Sequence, residues 1–297
     1  MAASPDSPTT PGADRGPTAH RIVLGSHLRR LRERAGIRRA DAAYAIRGSD
    51  SKLSRLEAGK VGFKQRDVVD LLALYGVAEG AERDQVLAMV AESKGSGWWT
   101  RYHDVVPGWF ERFVGLESSA SGIATYELMF VPGLLQTEAY CRAVVSGGHT
   151  GLPPDRTAEV EKRVEVRLRR QQVLHGGDAP TFRVVLDEAV VWRPVGGRAV
   201  YREQIEYLLE LSALPNVVLA LLPWRRSGYA AEHAFTVLRF AEPELPDLVY
   251  LEEMTGASYL DKPADVERYG RSMDRLTAEA LSPDRTRQAL ATLLADS

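Results

Sequence analysis

The chain has 297 residues, 44% hydrophobic and 26% charged, which is room for two domains at an average globular composition and excludes a collagen-like chain, a disulfide scaffold and a wholly disordered one. Its longest apolar run, residues 217–224, falls far short of the roughly 20 residues a membrane span needs, and a single cysteine, Cys141, excludes an intrachain disulfide and fits a reducing cytoplasm. The net charge of −2 hides an asymmetry: residues 21–60 carry eleven basic side chains against four acidic, leaving −9 on the remainder, so an anionic partner is expected for that stretch alone.

Residues 1–20 hold four prolines among Ser, Thr, Asp and Gly and read as a disordered tail, with no apolar stretch for a signal peptide or anchor. Five short helices follow. Leu24, Leu28 and Leu31 recur at i, i+4, i+7 and Gly36 closes the first helix. Ala42, Ala43 and Ile46 mark the second, Leu53 and Leu56 the third, with Gly59 as its stop. Val68, Leu71, Leu72 and Tyr75 give a fourth, closed by Gly76; Val86, Leu87 and Val90 give a fifth, to about Ser93. Lys94-Gly-Ser-Gly97 reads as a hinge, which separates a helical domain at 21–95 from a larger one at 97–297.

The second domain opens on six aromatics, Trp98, Trp99, Tyr102, Trp109, Phe110 and Phe113, expected to pack a core or a protomer interface rather than to form an aromatic cage. Residues 132–136 form a turn into a helix at 137–145 that holds Cys141 as a small core residue. A long helix at 156–174 precedes strands at 182–186, 217–222, 235–240 and 248–252, with a helix at 201–211 between them. Helices at 263–278 and 283–295 close the chain. The whole is α+β, with room for a parallel βαβ piece around 182–222.

Signals for catalysis are poor. The chain has no G-x-S-x-G, HExxH, CxxC pair or phosphate-binding glycine loop, and its six histidines show no ligand spacing. Asp187-Glu188 and Glu252-Glu253 are adjacent acids, which a strand points to opposite faces. The expectation is a non-enzymatic protein without cofactor or metal.

The strongest signal lies at residues 36–59. A DNA-reading helix-turn-helix needs a support helix, a three- or four-residue turn, and a second helix with an apolar inner face and a short or basic outer one. Leu53 and Leu56 supply the inner face; Ser51, Lys52 and Arg55 are expected to point outward to base edges. Ser49 or Asp50 is placed to cap that helix, Arg38 and Arg39 to hold the DNA backbone, and Ser54 and Lys60 complete the candidate DNA-binding set.

The strings LRRLRERAGI and SKLSRLEAGK closely resemble the Xre/Cro-type helix-turn-helix family, a lambda-repressor-like bundle. Arg55, Glu57 and Gly59 fall on that family's Arg, Glu and Gly, and Ser51 and Ser54 on its serines. Arg38 and Arg39 replace its usual Thr-Gln, and Arg47 stands where a turn glycine is usual, with Gly48 one place later. After Gly97, GWW, DVVPGWFERFVGLE and VPGLLQT resemble the large domain of actinobacterial Scr-type antitoxin-like regulators. The resemblances imply a cytoplasmic bacterial transcriptional regulator that binds double-stranded DNA as a homodimer, its large domain serving dimerisation or signal or partner binding. The alternative is an antitoxin-like protein that neutralises a small partner encoded nearby and regulates its own locus.

Overall fold

The computed structural model describes residues 16–149, 157–225 and 231–296, and the chain divides into two units between Gly97 and Trp98. In the first unit the predicted spacing becomes α1 (Pro17–Arg34), α2 (Arg39–Ala45), α3 (Asp50–Glu57), α4 (Gln65–Leu74) and α5 (Ala81–Ser93). Leu24, Leu28, Leu31, Ile46, Leu53, Leu56, Val68, Leu71, Leu72, Val86 and Val90 meet in one core. The three expected glycine stops, Gly36, Gly59 and Gly76, take left-handed φ values of 68°, 64° and 73°. The tail expectation needs one correction. Pro17 starts α1, where its missing N–H costs nothing, and Ala19 is already fully buried, so residues 17–20 are helical. Residues 1–15 lie outside the described residues.

The second unit runs through a 3₁₀ turn (Trp98–Tyr102), α6 (Gly108–Glu117), β1 (Gly122–Glu127), α7 (Glu138–Val144), α8 (Thr157–Arg170, tightening to 3₁₀ over Gln171–Leu174), β2 (Thr181–Asp187), α9 (Glu188–Trp192), α10 (Arg198–Leu211), β3 (Val217–Leu222), β4 (Phe235–Arg239), β5 (Leu248–Glu253), β6 (Gly256–Leu260), α11 (Pro263–Glu279) and α12 (Pro283–Asp296). The six strands form one mixed sheet in the order β3-β2-β1-β4-β5-β6. β1, β2 and β3 are parallel, while β4 to β6 pair antiparallel. The βαβ piece is β2-α9-α10-β3. The fold is α+β in two parts, but two strands escape the sequence pattern. β1 is central and covered on both faces, so its burial does not alternate cleanly, and every residue of the edge strand β6 is half-buried.

On one face of the sheet, Tyr126, Val185, Leu222, Phe235 and Val249 pack against Met273 and Leu276 of α11. On the other, Phe113 of α6 stacks on Tyr250, ring centroids 4.0 Å apart. None of the six clustered aromatics is exposed; Trp99, Tyr102 and Phe113 are buried. Cys141 is fully buried in α7, which pushes its thiol up. Asp187 is occupied as the cap of α9, accepting from the Ala189 N–H at 2.9 Å. Among the described residues no helix is long and apolar enough to cross a membrane.

Candidate nucleic-acid interface

α2 and α3 owe their arrangement to how each helix ends. Gly48 N–H donates to the Ala43 carbonyl at 2.8 Å and Arg47 N–H to Tyr44 at 2.9 Å, a six-residue closure that puts Arg47 itself in the left-handed region, φ 52°. The turn is therefore not shifted onto Gly48: Arg47 adopts the conformation a glycine would take. A Cβ at Gly48 would meet Lys52 Cδ at 2.8 Å, so the lysine stem would have to shift to admit one. A non-glycine residue pays roughly 1–2 kcal/mol in that region, and the Arg47–Asp70 contact, 3.6 Å and exposed, returns little. Arg47→Gly is accordingly expected to stabilise the helical unit by about 0.5–1 kcal/mol, read as a higher thermal midpoint.

α3 is capped by Ser49, whose Oγ accepts from the Lys52 N–H at 3.1 Å. It ends in the same closure as α2, with Gly59 in the left-handed position and Lys60 N–H bonded to the Arg55 carbonyl at 2.9 Å. This end lies hard against α1. A Cβ on Gly25 would come within 2.5 Å of the Leu56 carbonyl oxygen, and one on Gly59 within 2.6 Å of Ile22 Cα. A bidentate pair secures the contact: Arg32 Nε and Nη2 donate to Glu57 at 2.6 and 3.0 Å, while Nη1 holds the Ile37 carbonyl at 3.0 Å. Glu57 thus fixes the position of α3.

With Leu53 and Leu56 buried, Ser51 and Arg55 are exposed on the outer face of α3, and Lys60 is exposed just beyond it. Ser54 is half-buried and lines a cleft of about 360 Å³ with Arg29, Arg32 and Arg39. Lys52 sits differently from the outward position expected of it. Its Nζ donates to buried Asp67 in the first turn of α4 at 2.8 Å, tying α3 to α4. Arg38 is held by Asp41 at 2.8 and 3.0 Å, and Arg39 by Asp50 at 2.8 Å. The guanidinium groups hold both carboxyls below the usual carboxylate range. Such exposed pairs are weak and screened by salt, so a phosphate can replace the acid. Two further residues on this unit went unnoticed in the sequence. Tyr44 is 86% exposed, and Arg29 reaches the cleft while paired with Glu33 at 2.8 Å. The helical wheel of α2 could have shown Tyr44, since Ala43 and Ile46 claim the buried side.

A family model described as a helix-turn-helix domain matches residues 23–86, and the model of a domain of unknown function, DUF5753, matches residues 110–292. No curated protein and no solved structure matches the chain.

Proposed function

The chain belongs to the DUF5753 family and carries a DNA-binding helix-turn-helix domain, and from that premise we propose that it is a sequence-specific transcriptional regulator of the Xre type. The observation that carries the reading is the outer face of α3: Ser51 and Arg55 stand exposed on a helix whose inner leucines are buried and whose ends are fixed by Ser49 and Glu57. α3 enters the major groove and Arg55 reads guanine O6 and N7, with Ser51 on a neighbouring base edge or phosphate. Arg38, Arg39, Tyr44 and Lys60 contact phosphates, which sets affinity and salt dependence but carries no sequence information. Lys52, held by Asp67, contributes to the shape of the unit more than to base reading. One such module buries little surface, so the protein binds as a homodimer on a pseudo-palindromic site, with the acidic large domain carrying the contact between copies.

The test is affinity selection of genomic fragments by the purified full chain, followed by sequencing. A single enriched pseudo-palindrome is expected, and its half-site spacing gives the dimer geometry. For Arg55→Ala the expected outcome is a loss of about 1–3 kcal/mol on that site together with relaxed selectivity at one base position. Salt-sensitive enrichment without a motif overturns sequence-specific reading; unchanged selectivity in Arg55→Ala removes Arg55 from it.

A further inference from the structure

The sheet of the large unit ends in two unlike edges. At β3 the chain closes its own edge. Leu221 N–H donates to the buried Thr286 hydroxyl at 3.1 Å and its carbonyl accepts from Leu281 N–H at 2.7 Å, so the α11–α12 connection stands where a further strand would pair. At the other end lies β6, the five residues Gly256–Leu260. The two-residue turn at 254–255 makes Glu253 and Gly256 the closing pair, and hydrogen-bonded pairs alternate from there. Gly256, Ser258 and Leu260 therefore bond β5, while the N–H and C=O groups of Ala257 and Tyr259 point away from the sheet. Among the described residues no backbone group outside the sheet reaches them.

Open edges are commonly blunted by a charge, a proline or a bulge. β6 has none of these. Its residues Gly-Ala-Ser-Tyr-Leu are uncharged, its register with β5 is unbroken, and the next proline, Pro263, already starts α11. Both faces are covered. On one, the Tyr259 hydroxyl donates to the Trp109 carbonyl of α6 and the Arg112 guanidinium lies 4.4 Å from the Tyr259 ring centroid; on the other, Leu260 joins the core beneath α11. What stays open is the edge. Two opposite charges flank it: Glu253 before the turn and Lys262 after the strand are exposed, and neither has an ion pair among the described residues. Met254, in the turn, is 98% exposed.

We propose that this edge is a contact between two copies of the chain, β6 pairing antiparallel with β6 of the second copy about a two-fold axis through Ser258. The strand itself selects the register. Ala257 falls opposite Tyr259 of the second copy, and the reverse, so every outward N–H meets an outward C=O. Moving the axis to Ala257 or Tyr259 would pair that residue with itself and leave the other beyond the strand. The same register brings Lys262 beside the turn of the second copy, where its charge meets Glu253 and its stem covers Met254. A strand of another protein would have to supply that match by chance; a second copy supplies it by symmetry. The inference rests on the homodimer proposed above and names its face. Five residues a side fall short of the roughly 800 Å² per partner of a standard interface, so a dimer of micromolar strength is expected.

The experiment is sedimentation of the full chain across the micromolar range. The wild-type chain is expected to dimerise, with the dissociation constant raised at least tenfold by Ala257→Pro, whose missing N–H serves no bond to β5. Lys262→Glu is expected to weaken the dimer and Glu253→Lys to restore it in the same chain. Ser258→Cys gives a check that does not depend on loss of binding. Residues opposed at such a non-hydrogen-bonded site have Cα atoms about 4.5 Å apart, within disulfide reach, and the native thiol, Cys141, is buried, so mild oxidation is expected to link the copies. If tryptophan fluorescence shows Ala257→Pro to be unfolded, the cross-link decides. A wild-type chain that stays monomeric overturns this contact and the homodimer together, leaving Arg55 to be judged by the selected DNA. A dimer that survives Ala257→Pro and yields no Ser258→Cys link overturns the β6 contact alone.

Discussion

Replacing Glu117 by alanine is expected to cost the large unit about 3–5 kcal/mol, because it strands a buried guanidinium. Glu117 and Arg170 form a two-pronged pair, both bonds 2.8 Å, with only 4% and 8% of their side chains exposed. The guanidinium also lies over the rings of Phe110 and Phe113, 4.9 and 5.4 Å from their centroids, and a Cβ on Gly133 would come within 3.3 Å of it. The pair therefore ties α6 to the end of α8 and to the loop after β1. All five tryptophans lie beyond Gly97, so denaturant unfolding followed by tryptophan fluorescence reports on this unit. A double replacement, Glu117→Leu with Arg170→Met, is expected to recover most of the loss, since an apolar pair of similar volume removes both desolvated charges. A single-site loss below about 1 kcal/mol would mean that the guanidinium finds another partner.

The second large effect is expected in the helical unit. Glu57→Ala removes the carboxylate that grips Arg32 and leaves a guanidinium that is only 11% exposed, at a cost of about 2–3 kcal/mol. The hydrogen bond to Glu57 is also what holds the Arg32 pKa above its usual value. Without tryptophan, this unit is followed by far-ultraviolet circular dichroism. The expected signature is a lower first transition there, while the tryptophan transition stays in place. DNA affinity should fall more than stability at low temperature, because the end of α3 is no longer pinned to α1. An unchanged first transition would show that the Gly25–Leu56 contact alone positions the helix.

These two pairs show how differently the halves of the chain could be read. In the helical unit the apolar positions repeat at three or four residues and α1, α3 and α4 stop at a glycine, so five helices and their inward faces follow from local pattern. The cap of α3 was legible only as Ser49 or Asp50, and the structure selects Ser49. In the large unit, β1 and β6 lack the alternation that would betray them. The central place of β1 between β2 and β4 depends on partners more than fifty residues away in sequence. Glu117 and Arg170 are ordinary surface-type residues in sequence, and only the packing of α6 against α8 makes them a buried pair.

The helix-turn-helix, its basic charge and the exposed position of Arg55 were legible in the residues, because short-range periodicity and end signals decide those features. Helix packing, by contrast, turns Lys52 to Asp67, fifteen residues on, brings Arg39 to Asp50, and leaves Arg47 in the left-handed turn. The reason is physical. A charged side chain on a helix has several acids within reach of its flexible stem, and which one it meets depends on how neighbouring helices pack.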